Sequence, residues 1–335
     1  MTEGVIARPE RDNPLAALIR MPLLRATVRR VLMAVPLLFV ISVLSFVLVS
    51  LTPGDTAQAI LGTQATQEQY EALRSSLGLD LPLYEQYWRW LSHAVTGDLG
   101  SSLFSGETVT NAILTRLPVT LSLMFGALLV SLVAGVALGV FSAVRGGVLG
   151  RLVDGIALVG FALPGFWVGA MLIVVFAVAL RWLPPTGYVD FAESPQDWLR
   201  SLVLPVFALA LSGIAALAKQ TRESMLDVLN SEYIRMARAN GVKYRSIVFV
   251  NALKNASVRV VTILGLQAVA LLGGTVVVEN VFALPGLGSL AVNSTAQHDL
   301  PVIQGIVVYF TILVVVINLL VDLAYTWLNP KVRTS

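Results

Sequence analysis

"SEYIRMARANGVKYRSIVFVNALKNASVR", residues 231–259, interrupts a chain that is otherwise almost as apolar as lipid. It carries Glu232, Arg235, Arg238, Lys243, Arg245, Lys254 and Arg259, and apolar runs at 201–218 and 260–278 flank it. A charged stretch between two apolar runs cannot lie in hydrocarbon. Once its side of the membrane is known, every other crossing is oriented.

The surroundings support a membrane reading. The chain has 335 residues, 56% of them hydrophobic and 13% charged, with a mean hydropathy of +0.79. Soluble domains carry about 25% charged residues. Six runs approach the roughly 20 residues a helix needs to cross about 30 Å of hydrocarbon. They are 31–51, 119–144, 155–180, 201–218, 260–278 and 302–321, and none contains Asp, Glu, Lys, Arg or His. The fourth is the shortest. Ala57-Gln58-Ala59 mimics a signal-peptide cleavage site, but the apolar core before it is too long. The first run therefore reads as a retained crossing. With no cysteine, disulfides and thiolate metal sites are excluded.

Lysines and arginines orient the crossings. Residues 1–30 hold six, 145–154 two, 219–259 eight and the C-terminal tail two; the alternate connections, 52–118, 181–200 and 279–301, hold three, two and none. Eighteen against five places the first set, and with it both termini and the opening stretch, in the cytoplasm.

The N-terminal tail (1–24) is polar and reads as loosely ordered or surface-lying. "LTPGD" (51–55) ends the first crossing, since Pro and Gly stop helices. The first outer connection is too long for a plain turn. Tyr70, Leu73 and Leu77, then Tyr84, Tyr87, Trp88 and Leu91, have helical spacing. This predicts a small helical insertion that packs on the crossings, meets an extracellular partner, or does both. "LPPTG" (183–187) turns the second outer connection. The third, "ENVFALPGLGSLAVNSTAQHDLP" (279–301), combines a Pro-Gly turn with uncharged flanks and predicts a segment dipping into the protein. Pro36, Pro164-Gly165, Pro205 and Gly273-Gly274 suit helices that bend or move.

Catalytic constellations are absent from the sequence. The two histidines, His93 and His298, lie about 200 residues apart, and no zinc-protease or nucleophile-elbow motif occurs. Lys219, Lys243, Lys254 and Lys331 follow Ala, Val, Leu and Pro, so there is no P-loop. An ion-coupled carrier keeps ionisable groups inside its crossings. Here Gln267, Gln304 and Asn318 are the main polar residues, with Asp154 and Asp322 at the ends. A pathway without an energy source points to another subunit as the engine.

The opening stretch suits that engine's grip. Asn230 or Ser231 can cap a helix, and Glu232 complements its dipole. Tyr233, Ile234 and Ala237 share a face, while Arg235 and Arg238 point elsewhere. Ala237 and Ala239 keep the helix thin, and Asn240-Gly241 supplies a left-handed stop. A second helix restarts near Tyr244 with Ile247, Val248, Ala252 and Leu253 on its apolar face. A basic loop that only sets topology or touches anionic lipid is the alternative; it needs neither the glycine nor the apolar faces.

These residues resemble a known family. "EYIRMARANGV" with "ALKNA" looks like the EAA loop of ABC importer permeases of the peptide type. "LGLDLPLYEQYWRWL" (77–91), "GDLGSS" (97–102), "RLPVTL" (116–121), "VENVFALPGLGSL" (278–290), "LPVIQG" (300–305) and "NLLVDLAY" (318–325) resemble the B-type permease of dipeptide, oligopeptide and nickel importers along nearly the whole chain. Asn251, Lys254 and Asn329-Pro330 depart from the usual His, Pro and Asp-Pro.

The resemblance implies an all-α integral membrane protein of the type I (MetI-like) importer fold. It would have six transmembrane helices, cytoplasmic termini and a helical extracytoplasmic insertion after the first helix. Residues 1–30 would be a cytoplasmic tail, 31–115 the first helix plus insertion, and 116–330 the five-helix transmembrane domain, with the coupling loop at 219–259. It implies a non-catalytic subunit without a cofactor of its own, ATP and magnesium being used by two cytoplasmic ATPase subunits. Glu232, Tyr233, Arg235, Ala237, Arg238, Ala239 and Gly241 would dock on them. A similar second permease, an extracellular substrate-binding protein and the lipid bilayer would be the other partners, with no nucleic acid. The setting would be the plasma membrane of a bacterium or archaeon and the cargo peptides; nickel chelates, glutathione or oligosaccharides are alternatives. An ion-coupled carrier and a membrane scaffold are the readings outside this class.

Overall fold

The computed structural model describes residues 22–51, 54, 56–62 and 65–328. The expectations for residues 1–21, for most of "LTPGD" and for Asn329-Pro330 fall outside them. The described residues form helices and one isolated β-bridge, Ser101 to Thr108.

Helix α1 spans Pro22–Leu51. The outer insertion follows as α2 (Thr56–Leu61), α3 (Gln67–Ser76) and α4 (Leu83–Val95). Then come α5 (Val109–Arg145), α6 (Gly147–Ala162) and α7 (Gly165–Leu172), which continues as a π-helix over Ile173–Ala179. Helix α8 covers Pro195–Leu229 and the short α9 Glu232–Ala239. One turn, α10 (Tyr244–Ser246), passes through a π-helical stretch (Ile247–Ala252) into α11 (Leu253–Val281). Helices α12 (Leu287–Gln297) and α13 (Leu300–Leu328) complete the chain.

Among the described residues, five helices are long and apolar enough to cross a membrane: 32–51 of α1, α5, α8, the continuous Tyr244–Val281 helix and 300–324 of α13. The third apolar run, 155–180, forms two helices rather than one, and it counts as a sixth crossing when the bent pair is taken together. Helices α6 and α7 meet at 98°, where Leu163-Pro164 separates them. The proline closes off α6 and becomes the N-cap of α7, as its fixed φ and missing N–H dictate.

Close contacts give the directions. Gly126, Gly135 and Gly139 of α5 meet Val206, Leu217 and Thr221 of α8 in ascending order, so these helices run parallel. Gly150, Gly160 and Gly165 meet Arg222, Ala215 and Ala208 in descending order, so the bent segment runs antiparallel to α8. A Cβ on Gly139 would lie 2.6 Å from Ala218 O and from Thr221 Cβ. Only glycine permits this approach, the usual device for packing helices where lipid offers no hydrophobic drive. The run that was shortest in sequence thus lies in the most buried crossing, with 67% of its most apolar window inside the protein. A crossing surrounded by other helices need not be as apolar as one facing lipid.

The helices also exceed their apolar runs. At 37 residues, α5 extends about 55 Å, well beyond the hydrocarbon. Its outer end packs Val109 and Ile113 with Leu99, Leu287, Val302 and Ile306. The insertion is fixed to α1: Tyr87 is buried with its ring 5.5 Å from that of Phe46, and its hydroxyl lies 2.8 Å from Ser42 Oγ. Tyr84 and Trp88, expected on the same face, point outward. At the cytoplasmic ends, Arg30 pairs with Asp322, joining α1 to α13.

Candidate functional site

The opening stretch forms a short helix, a turn and a restart at the cytoplasmic ends of three crossings. The first half follows the sequence expectation. Gly241 has φ +75°, Val242 N–H donates to Ala237 O (3.1 Å) and Gly241 N–H donates to Arg238 O (3.0 Å). These two bonds define a Schellman motif, in which the left-handed residue turns the chain off the helix axis. A Cβ on Gly241 would meet nothing within 4 Å, so the demand on this position is its φ and not space.

The second half departs from expectation. There is no separate second helix, because the turn at Tyr244 leads directly into the fifth crossing. Displacing α9 therefore displaces the end of a membrane helix with only Asn240–Lys243 between them. Asn240 and Ser231 flank α9, but Ser231 makes no side-chain cap; its hydroxyl donates back to Val228 O of α8.

Ile234 fixes α9 to the bundle. It is fully buried among Met225 and Leu229 of α8, Ala143 of α5, and Ile247, Val248, Ala252 and Ala256 of the restarting helix. Full burial of such a side chain stabilises by roughly 1.5–3 kcal/mol. The remaining residues of α9 face outward. Glu232, Tyr233, Arg235, Arg238, Ala239 and Gly241 are exposed, and Ala237 is half-buried. The sequence face that grouped Tyr233 with Ile234 is thus divided: Tyr233 is 48% exposed, and its hydroxyl accepts a bond from Asn255 Nδ2 (3.0 Å). Arg235 and Arg238 make no ion pair among the described residues. Met236, which spacing did not single out, is 67% exposed. Three charges, a tyrosine and a methionine on one short, firmly anchored helix make a surface suited to a protein groove.

Salt bridges brace the crossings nearby. Arg222 reaches Asp154 at 2.8 Å, joining α8 to α6, and Arg259 reaches Asp227 at 2.7 Å across an exposed surface. Asp154, read in the sequence as a polar crossing end, is therefore a partner of α8.

At the outer end, one residue escaped the sequence reading. Glu279 falls just past the charge-free run 260–278, yet α11 continues to Val281 and Glu279 is fully buried. Thr120 Oγ1 donates to its Oε1 at 2.7 Å, and Ser289 N–H donates to its Oε2 at 2.9 Å. A charge at the very end of an apolar run was the available signal. Asp299 is likewise buried and accepts bonds from Ser102 Oγ and Leu103 N–H. His93 Nδ1 lies 2.7 Å from Arg89 O on the exposed face of α4. A cleft of about 290 Å³ opens between α7, α8 and α11, bordered by Gln267, Gly274, Val277 and Val278.

Residues 135–334 match the family described as binding-protein-dependent transport system inner membrane component, and residues 23–124 match its N-terminal counterpart. A Brucella abortus (strain 2308) protein, provisionally named a peptide transport system permease, is 42% identical over 306 residues, which are 91% of this chain and 98% of that one. A glutathione transport system permease of Escherichia coli O6:H1 (strain CFT073) is 42% identical over 312 residues, 93% of this chain and 99% of that one. Among solved structures, the inward-facing MetNI methionine ABC transporter is similar in fold, with a TM-score of 0.50 and 18% identity over 63% of this chain and 93% of that one.

Proposed function

The chain belongs to the family of binding-protein-dependent transport system inner membrane components, and from that premise we propose that it carries peptides across the membrane as half of an ATP-driven import pathway. A similar second permease supplies the other half. Two cytoplasmic ATPase subunits bind and hydrolyse MgATP, and an extracellular binding protein delivers the cargo to the outer mouth.

The observation that carries this reading is the anchored α9. ATP-driven closure of the ATPase pair moves a groove holding Tyr233, Arg235, Ala237, Arg238, Ala239 and Gly241. Ile234 passes that displacement to the ends of α5, α8 and α11, which shift as packed rigid bodies. The test is uptake of a labelled dipeptide by proteoliposomes holding the full importer, with ATP inside. Uptake that needs ATP and the binding protein supports the reading. Uptake by this chain alone under an ion gradient would overturn it.

Glutathione is a second reading, favoured by the relative of that name at 42% identity. Because glutathione is itself a γ-linked tripeptide, competition between it and α-linked tripeptides for uptake separates the two.

A further inference from the structure

Glu279 is a buried carboxylate without a buried cation: among the described residues no Lys, Arg or His pairs with it. Its position explains how it can persist. Helix α12 begins after Gly286, which has no side chain to serve as an N-cap. Glu279 reaches across from α11 and supplies the missing acceptor to the N–H of Ser289, the third residue of α12. It also lies at the positive end of that helix's dipole. Thr120 of α5 completes the arrangement. Its hydroxyl accepts from Leu287 N–H (2.9 Å) and donates to Glu279. Three elements therefore meet at one carboxylate, and the turn is built around it. A Cβ on Gly286 would come within 2.3 Å of the carboxylate carbon, and one on Gly288 within 2.9 Å of Oε2.

The far end of α12 is tied as firmly to the insertion. Thr56 Oγ1 donates to His298 O (2.9 Å), and Asp299 holds the Ser102–Leu103 loop. Helix α12 is thus a short bar, pinned at one end to α11 beside the cleft and at the other to the outer surface.

We propose that Glu279 is the positioning residue that makes this bar transmit: docking of the loaded binding protein on the insertion moves α12, and Glu279 passes the movement to α11. The proposal rests on the import reading above. Both oxygens of the carboxyl group have partners, Thr120 Oγ1 on one and Ser289 N–H on the other. A glutamine offers one accepting oxygen in their place and must turn its NH₂ toward Thr120 Oγ1.

The experiment measures ATP hydrolysis by the reconstituted full importer, with and without loaded binding protein, and hydrogen exchange of residues 287–290 in the same particles. For Glu279→Ala, basal hydrolysis per assembled complex stays within two-fold of wild type. Stimulation by the binding protein falls at least five-fold, and exchange at 287–290 rises at least ten-fold. Glu279→Gln falls between. Thr120→Val, which keeps the carboxylate and the shape of residue 120, shows the same split more weakly and decides the matter if Glu279→Ala does not assemble. Wild-type exchange in the Glu279 and Thr120 variants overturns the latch whatever the importer carries. Equal losses of basal and stimulated hydrolysis reduce Glu279 to a folding role and overturn the proposal. Absence of ATP-dependent peptide uptake in the wild type counts instead against the import reading.

Discussion

The two ends of the bundle each hold a short helix against the crossings, by opposite means. At the cytoplasmic end, α9 is fixed by an apolar peg, Ile234, and presents its charges outward. At the outer end, α12 is fixed by a buried carboxyl group, Glu279, beside the fully buried Leu287. An apolar peg tolerates small displacements, because dispersion contacts are many and individually weak. A carboxylate held by two directed bonds does not, since a lost partner leaves a buried acceptor unmet. The inner joint can therefore rock with its partner, whereas the outer joint holds or breaks.

Substitutions at the two joints separate the two modes of attachment. The largest expected effect is at Ile234. Replacement by Asp would bury a carboxylate among Met225, Leu229 and Ile247 with no donor, so α9 should detach and uptake should fall to background, read as transport by proteoliposomes. Ile234→Ala loses about 2–5 kcal/mol of packing at the joint and should leave a measurable fraction of uptake. Next is Gly286→Ala. Its methyl collides with the Glu279 carboxylate, so binding-protein-stimulated ATP hydrolysis should drop several-fold while ATPase subunits still co-purify. A smaller effect is expected at Gly241. Asp and Asn both enter the left-handed region more readily than other side chains, and the site has open space. Gly241→Asp should leave the chain in the membrane and weaken ATPase association about two- to three-fold through its charge, with Gly241→Asn milder. Equal effects of Asp and Asn would mean that backbone strain, not surface charge, governs the site. The smallest effect is at Arg259→Gln. The pair with Asp227 is exposed on both sides, which places it at about 0–1 kcal/mol, and uptake should change less than two-fold.

Much of this molecule was legible in the sequence. Hydropathy gave the crossings because the bilayer demands long apolar helices, and basic residues oriented them. The Asn240-Gly241 stop was readable because a positive φ leaves a chemical signature. Other features were not. The 98° bend in the third crossing looked like one continuous run, since Pro164-Gly165 marks a break without giving its angle. The restart at Tyr244 looked like a separate helix, because a charged stretch hides the continuity of a helix that passes from water into lipid. Glu279 was missed for a related reason. A window average sees a charge at the end of an apolar run and assigns it to the loop, whereas the partners that make its burial tolerable, Thr120 and Ser289, lie 159 residues before it and 10 after.

Docking of the ATPase on α9, as proposed above, can be tested directly. The protein contains no cysteine, so a single introduced thiol is the only one in this chain. Ala239→Cys on the exposed end of α9 and Ser92→Cys on the outer insertion helix would each be treated with a short bifunctional thiol–amine cross-linker in the intact importer. The account predicts a covalent product with the ATPase subunit from position 239, changed in yield by ATP, and none from position 92. Absence of that product at 239 in a complex that hydrolyses ATP and imports peptide would contradict it.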